Sequence, residues 1–230
     1  MTVDIIILSN ALNYRLQDYT QTTINTCIDS DKETEFNVLV IEQNPEIEYK
    51  YAKTVHITDE FNYNRFMNIG IGMKSGEYVC LCNNDLRFHK NWAKHMIKAM
   101  QDEFLLSASP YCPRSQGAVF QTGPAIDYGY SNGKHLSGWC IMADRFLFEI
   151  IGKIDEDFPF WFADNAYAEQ LKAKGVKHAL VRTSIVEHMG SKTLKTVNNP
   201  DDLTTRYVRK WIQKYPQNES AIHFKNVMGL

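Results

Sequence analysis

The sequence lacks the features of a secreted or membrane-spanning protein. Its five cysteines are an odd number and contain no Cys-x-x-Cys pair, which argues against a disulfide framework and indicates a reducing compartment. No apolar run approaches the ~18–20 residues of a membrane span. The run at the N-terminus is too short for a signal peptide and is typical of a strand. We therefore expect a soluble, cytoplasmic protein.

The chain also lacks an excess of charge of either sign. It has 25 Lys and Arg against 27 Asp and Glu, a net charge of -2, so no overall electrostatic footprint indicates nucleic acid or an anionic membrane as partner. What it does have is 44% hydrophobic and 12% aromatic content over 230 residues. That composition is typical of a globular domain with a substantial core.

Apolar runs and helical periodicities alternate in the first half of the chain. The predicted strands are Val3–Ser9, Phe36–Asn44, Lys53–Thr58 and Glu77–Cys82, and the predicted helices are Tyr14–Cys27, Asn62–Lys74 and Asn91–Met100. This alternation predicts an α/β fold with a mostly parallel sheet flanked by helices. Ligands bind beyond the carboxyl ends of such strands, where the sequence has Ser9-Asn10, Glu42-Gln43-Asn44 and Asn83-Asn84-Asp85.

The second half is less regular. Residues 110–135 are rich in Gly, Pro and Ser and show no periodicity, which predicts a functional or mobile loop. Further on, the patterns predict strands over Leu136–Ala143 and Val176–Val181, and helices over Asp144–Ile151, before Gly175, and over Asp201–Tyr215. No repeat or linker divides the chain, so we expect one domain.

The turn Asn83-Asn84-Asp85 has two interpretations. A carboxylate at the carboxyl end of a strand can hold a hard divalent cation, whose remaining ligands are water and phosphate oxygens. A polar turn or a cap for the next helix also explains the same residues. These three residues alone favour the turn.

The surrounding sequence resembles the family 2 glycosyltransferases in blocks that occur in one order over about residues 3–193. Ser75–Tyr78, the strand after it, Asn-Asn-Asp and Trp92 are similar to the central Asp-x-Asp motif of the family. The upstream segments Val38–Asn44 and Phe61–Ile71 are similar to two further blocks. Downstream, Ser137–Gly175 resembles the acceptor-side block, and Val186–Thr193 resembles the terminal His-x-x-Gly-Ser loop.

The resemblance implies a single GT-A domain over residues 1–230. About residues 1–105 would be the half that binds a nucleotide sugar, about 106–200 the acceptor and catalytic half, and 201–230 a C-terminal helix and tail. It also implies transfer of a sugar, with inversion, from a nucleotide-diphosphate donor to an acceptor hydroxyl. Negative charge develops on the departing diphosphate, which is consistent with a cofactor such as Mn²⁺ or Mg²⁺.

The resemblance further assigns roles to individual residues. Asp164 matches the aspartate of the family's Glu-Asp pair and is the implied general base, although the pair here reads Ala163-Asp164 and a helix cap is the alternative. Asp85 is the implied metal ligand, with His188 as a second ligand or a donor to the diphosphate.

The remaining expected site residues fall into two groups. Residues expected to bind the donor are Ser9, Asn10, Glu42, Asn44, Arg65, Asn68, Asn83, Asn84, Ser191 and Lys192. Residues expected to form the pocket for the sugar or acceptor are Gly138, Trp139, Trp161 and Phe162.

Two other functions stay open at this point. A degenerate domain would bind a nucleotide sugar or glycan without transfer, since Asn83, Asn84 and Ala163 stand where the family often has acids. A sugar nucleotidylyltransferase would generally begin with a Gly-rich phosphate loop, which Ile7–Asp18 lacks. Neither the donor (UDP-, dTDP- or GDP-linked) nor the acceptor (a glycan, a protein, a small molecule or a modified nucleic-acid base) follows from the sequence.

Overall fold

The computed structural model describes residues 1–117, 123–190 and 200–228. In those residues nine strands and eight helices occur. The strands are β1 (Thr2–Ser9), β2 (Glu35–Glu42), β3 (Lys53–His56), β4 (Tyr78–Cys82), β5 (Leu86–Phe88), β6 (Ser107–Tyr111), β7 (Ile126–Tyr128), β8 (Cys140–Asp144) and β9 (His178–His188). The helices are α1 (Tyr14–Ser30), α2 (Tyr63–Gly72), α3 (Trp92–Asp102), α4 (Pro113–Gln116), α5 (Leu147–Ile151), α6 (Ala163–Ala173), α7 (Pro200–Lys214) and α8 (Glu219–Met228).

The strands form one mixed sheet in the order β3-β2-β1-β4-β8-β6-β9-β5, with β7 paired to β9. Strands β3, β2, β1 and β4 are parallel, which confirms the α/β prediction for the first half. Strand β8 runs antiparallel to both β4 and β6, and β9 is parallel to β6. The carboxyl ends of β1, β2, β4 and β9 therefore lie on the same edge of the sheet.

Helices cover both faces of the sheet, which explains the continuous apolar runs of the central strands. In β1, Ile5 and Ile7 pack in a core cluster with buried residues of α1 and α3. Ile6 and Leu8, which point to the opposite face, pack in a second cluster with residues of α2, α5 and α6. β1 is therefore an interior strand, buried on both faces and paired with β2 and β4.

The C-terminal helices form a third, smaller cluster. Trp211 of α7 is fully buried against Phe158 and Phe162, which belong to the segment that leads into α6. Lys214 of α7 also binds Asp155 on the same segment, 2.5 Å from its Oδ2 atom. Helix α7 thereby fixes the position of the segment that leads into α6. Among the described residues, no helix combines the length and the apolar character needed to cross a bilayer.

The structure differs from the sequence-based expectations mainly in the second half. The described parts of residues 110–135, predicted to be a loop, contain α4 and β7, and β5, β6 and α8 were not predicted. The last strand was predicted to end at Val181, but β9 continues to His188 because β5 pairs with its final residues. His188 consequently ends a strand instead of lying within a loop.

His178, at the start of β9, is buried within a polar network. Its Nδ1 lies 2.8 Å from the hydroxyl of Ser107 and its Nε2 lies 3.2 Å from that of Ser109. Burial lowers the pKa of His178 to about 3, since the charged ring would lose its hydration. The folded protein therefore holds this imidazole neutral.

We predict that His178 makes the fold sensitive to mild acid. The unfolded chain takes up a proton below pH ~6.5 that the folded chain excludes, so the free energy of unfolding falls by up to about 1.4 kcal/mol per pH unit. A His178→Gln variant should be less stable at neutral pH but lose less stability between pH 7 and 5. Denaturant unfolding at both pH values measures this, with the exposed His223→Gln as control. Equal pH dependence of wild type and His178→Gln would contradict the prediction.

Candidate active site

The polar turn after β4 meets the end of β9 at the carboxyl edge of the sheet. His188 Nε2 lies 3.1 Å from Asp85 Oδ1, yet within the described part of the chain this nitrogen has no hydrogen-bond partner. Asp85 Oδ2 is buried and likewise without a partner there. Burying an unsatisfied carboxylate oxygen is costly, which makes these two side chains candidates for binding a ligand.

Three backbone and ring contacts fix the positions of Asp85 and His188. Met189 donates its backbone N–H to the carbonyl of Asp85 at 2.8 Å, and His188 donates its own to Cys112 Sγ at 3.3 Å. The rings of His188 and Trp139 are stacked, with centroids 5.5 Å apart. The imidazole is therefore held in one orientation, with Nε2 toward Asp85.

The residues present fit a divalent cation. Carboxylate oxygens suit Mn²⁺ and Mg²⁺, and an imidazole nitrogen is a good ligand for transition ions. Asp85 and His188 supply one of each, and both side chains have an atom that lacks a hydrogen bond. The mixed pair suits Mn²⁺ better than Mg²⁺.

Asp164 lies in the first turn of α6, where the helix dipole favours a carboxylate. Its Oδ1 accepts the backbone N–H of Asn165 at 2.9 Å. The cap position belongs to Phe162, which has a left-handed φ of 66°, so the alternative that Asp164 caps the helix is wrong. Burial raises the pKa of Asp164, while the backbone hydrogen bonds oppose that rise.

Gly138 lies against Asp164. A Cβ atom on this glycine would lie 2.7 Å from the Cβ of Asp164 and 2.8 Å from its Oδ2, so only glycine permits the approach. The hydroxyl of Tyr63 donates to the carbonyl of Gly138 at 2.8 Å. Burial raises the pKa of Tyr63, which keeps this hydroxyl protonated as a donor. The next residue, Trp139, stacks on His188, so one short segment joins Asp164 to Asp85.

Three asparagines at the start of α2 and within it hold the loop that precedes Asp164. Asn62 donates to the carbonyl of Glu156 at 2.8 Å, and Asn64 donates to those of Asp155 and Ala163. Asn68 both donates to and accepts from the backbone of Ile154, at 2.8 and 2.9 Å. Asn68, predicted to bind the donor, is thus engaged with the loop. Sequence reasoning missed Asn62 and Asn64, although the repeated asparagines were visible.

The donor-side residues form a buried network under the ends of β1 and β2. Glu42 is fully buried; its Oε1 accepts the backbone N–H groups of Ala11 and Asn44, and its Oε2 accepts the hydroxyl of Tyr49. Asn44 Nδ2 donates to the carbonyl of Ala11 at 2.8 Å. The contacts of Glu42 thus set the positions of two loops, and its expected contact with the donor stays a prediction.

Ser9 and Asn84 belong to the same network. The hydroxyl of Ser9 lies 3.0 Å from those of Thr20 and Tyr49, and Asn84 Nδ2 donates to the Thr20 hydroxyl at 3.1 Å. Both Ser9 and Asn84 are buried. Asn10, Asn44 and Asn83 are only partly buried, which leaves these three amides nearest the surface at this edge.

Three other predicted site residues contact residues outside the segment Gly138–Trp139. Phe162 stacks on Trp211, with centroids 5.2 Å apart, because its left-handed backbone turns it toward α7 instead of toward Gly138. Trp161 meets Phe160 edge to face at 5.1 Å. Arg65 donates to the carbonyl of Glu60 at 2.9 Å and lies 3.4 Å from Asp59.

Two further predicted residues lie outside the described residues, and one residue close to His188 was not predicted. Ser191 and Lys192, expected to contact phosphates, lie outside the described residues. Arg114 of α4 is exposed, and its Nη1 lies 3.5 Å from Met189 Sδ, directly beside His188. The sequence predicted a functional or mobile loop over residues 110–135 but contained no signal for this arginine.

Comparison with known proteins shows the fold alone. No family model and no curated protein matches the sequence. A crystal structure of GalNAc-T7 with UDP, GalNAc and Mn²⁺ is similar at 12% identity and a TM-score of 0.61, covering 82% of this chain and 44% of that one. A crystal structure of S. aureus TarS residues 1–349 is similar at 12% identity and a TM-score of 0.59, covering 92% and 66%.

The chain thus spans less than two thirds of either neighbour. Both neighbours are glycosyltransferases of the GT-A type, so the predicted GT-A fold is confirmed for this α/β domain. Neither likeness tests the roles of individual residues.

We predict that Gly138→Ala disturbs the site. The added methyl group meets the Asp164 side chain, which costs about 1–3 kcal/mol of stability or displaces the carboxylate. The matched control is Gly72→Ala in α2, where nothing lies within 4 Å of the added Cβ. Denaturant unfolding compares the two variants. A Gly138→Ala protein as stable as Gly72→Ala, with unchanged activity, would contradict the close packing.

We also predict that Mn²⁺ binds at Asp85 and His188. Asp85→Asn and His188→Ala should each weaken Mn²⁺ binding about tenfold or more, because each removes a ligand that the chain supplies. Isothermal titration with MnCl₂ measures this, and Asp102→Asn, an exposed carboxylate on α3, is the control. Unaltered affinity in both site variants would show that the ion binds elsewhere.

Proposed function

We propose that this protein is an inverting glycosyltransferase that uses a nucleotide-diphosphate sugar. The observation that carries the proposal is the chain of contacts from Asp85 through His188, Trp139 and Gly138 to Asp164. These contacts join Asp85 and His188, the proposed ligands of a cation, to the partly buried carboxylate of Asp164 at the start of α6. A reaction that expels a diphosphate and deprotonates a hydroxyl needs both groups side by side.

The donor would lie along the carboxyl edge of the sheet. The partly buried amides of Asn10, Asn44 and Asn83 are suited to contact the nucleotide, and the diphosphate would approach Asp85 and His188. A divalent cation held there would neutralise the charge that develops on the leaving diphosphate. The exposed guanidinium of Arg114 supplies a second positive charge beside His188.

Asp164 would act as the general base. The acceptor hydroxyl gives its proton to the Asp164 carboxylate, and its oxygen forms a bond to the anomeric carbon of the sugar. The bond between that carbon and the diphosphate breaks, with its electrons leaving on the phosphate oxygen. Attack opposite the leaving group inverts the configuration. Burial raises the pKa of Asp164, which makes its carboxylate a stronger base than an exposed one.

A polar cavity of about 790 Å³ offers room for the acceptor. Asp164 does not line this cavity, but the next residue, Asn165, does. The rest of its wall is made of aromatic, amide, acidic and basic side chains, among them Tyr130, Asn132, Glu169, Lys172, Tyr215 and Asn218. Amides and aromatic rings of this kind suit a molecule with several hydroxyl groups. A glycan or another hydroxyl-rich small molecule is therefore the acceptor that this surface supports best.

An Asp164→Asn variant tests the proposal. With Mn²⁺ and a panel of UDP-, dTDP- and GDP-linked sugars, wild type should release nucleoside diphosphate from at least one donor. Asp164→Asn should lower that rate about 100-fold or more, since it removes the base. Donor binding, followed by thermal shift, should persist. Asp102→Asn serves again as the exposed control.

The pH dependence gives a second readout of the same proposal. Because the base must be ionised, kcat/KM of wild type should fall as the pH drops through the raised pKa of Asp164, above the ~3.9 of an exposed aspartate. Release unchanged by Asp164→Asn would refute its role as base. A wild type that binds a donor but never turns it over would instead be a binding domain.

A further inference from the structure

Three cysteine thiols meet beneath the candidate active site. Cys80 Sγ lies 3.4 Å from Cys82 Sγ and 3.6 Å from Cys140 Sγ, and the three sulfur atoms all lie within 4.8 Å of one another. Each of the three residues has 0% solvent exposure. No disulfide joins them.

The strand pairing creates this group. Cys80 and Cys82 are two residues apart on β4, so their side chains point to the same face of the sheet. Cys140, the first residue of β8, is directly opposite Cys82 in the antiparallel register. Cys27 of α1 is a fourth fully buried thiol in the same core cluster.

We propose that Cys80, Cys82 and Cys140 bind one thiophilic metal ion, with Zn²⁺ as the expected occupant. At a Zn–S distance of ~2.3 Å, sulfur atoms that share one ion are ~3.8 Å apart at tetrahedral angles and ~4.0 Å apart in a planar complex of three thiolates. The observed 3.4 and 3.6 Å are within a few tenths of an ångström of the tetrahedral spacing. Sulfur ligands select Zn²⁺ or Cu⁺ over the Mn²⁺ and Mg²⁺ that suit Asp85.

Binding replaces the thiol protons with the metal. Three thiols and one Zn²⁺ give a trithiolate complex of charge -1 and release three protons to the solvent. Three free thiolates in an apolar core would be far more costly than this single charge. Because the sulfur atoms have no access to water, the ion enters while the chain folds, and it leaves only when the chain unfolds.

The ion would connect two strands directly under the site. Cys82 precedes Asn83 and Cys140 follows Trp139, and Asn83 donates its backbone N–H to the carbonyl of Trp139 at 2.9 Å. A metal link between β4 and β8 therefore stabilises the segments that present Asp85 and Trp139. This is a structural role, and it holds whether or not the protein transfers sugar.

Refolding with metal tests the site. The full chain is unfolded in guanidinium with a reductant and a chelator, then refolded with Zn²⁺, Cd²⁺ or Mn²⁺ and desalted. We expect about one equivalent of Zn²⁺ or Cd²⁺ per chain by elemental analysis and native mass spectrometry, with an ultraviolet thiolate-to-Cd²⁺ charge-transfer band. Mn²⁺ should give no such band.

Variants identify the ligands. Cys80→Ser and Cys140→Ser should each lose most of the bound Cd²⁺ and its band, whereas Cys112→Ser, a buried cysteine outside the group, should retain both. If Cys80→Ser or Cys140→Ser fails to fold, the Cd²⁺ charge-transfer band of wild type is used instead, because its intensity reports how many thiolates bind the ion. Wild type with less than about a tenth of an equivalent, equal loss in Cys112→Ser, or a disulfide between these cysteines would overturn the proposal.

Discussion

The antiparallel pairing of β4 with β8 is the constraint on which the site depends. Because β8 runs against β4, its first residues lie at the edge where β4 ends, and Cys140 lies opposite Cys82. The residues before β8, Gly138 and Trp139, are consequently beside Asn83 and Asp85. A parallel strand at this position would carry them to the opposite edge, about 16.5 Å away for the five residues of β8 at ~3.3 Å per residue.

The loop before Asp164 is held from two directions. On one side the amide side chains of Asn62, Asn64 and Asn68 bond to its backbone. On the other, α7 contributes the buried ring of Trp211 and the ammonium group of Lys214. Hydrogen bonds and ring packing together order a segment that contains no regular structure. The C-terminal helices are thus part of what positions Asp164.

Two centres of different chemistry lie on adjacent layers of the fold. At the edge of the sheet, Asp85 and His188 offer a carboxylate oxygen and an imidazole nitrogen as ligands. Beneath them, the sulfur atoms of Cys80, Cys82 and Cys140 lie in the apolar core. Ligand hardness separates the two groups, so an ion suited to one is poorly suited to the other.

The sequence by itself determined the parallel first half and the polar strand ends, because buried strands have continuous apolar runs and turn residues follow them directly. The resemblance of ordered sequence blocks to a known family also singled out Asp85, Gly138, Asp164 and His188. Only the tertiary structure decided that Asn68 and Glu42 hold loops, that Phe162 faces α7, and that three cysteines from two strands meet. Most of these outcomes depend on partners distant in sequence, such as Ile154 for Asn68 and Cys140 for Cys80, 86 and 60 residues away. Such contacts leave no local period in the sequence.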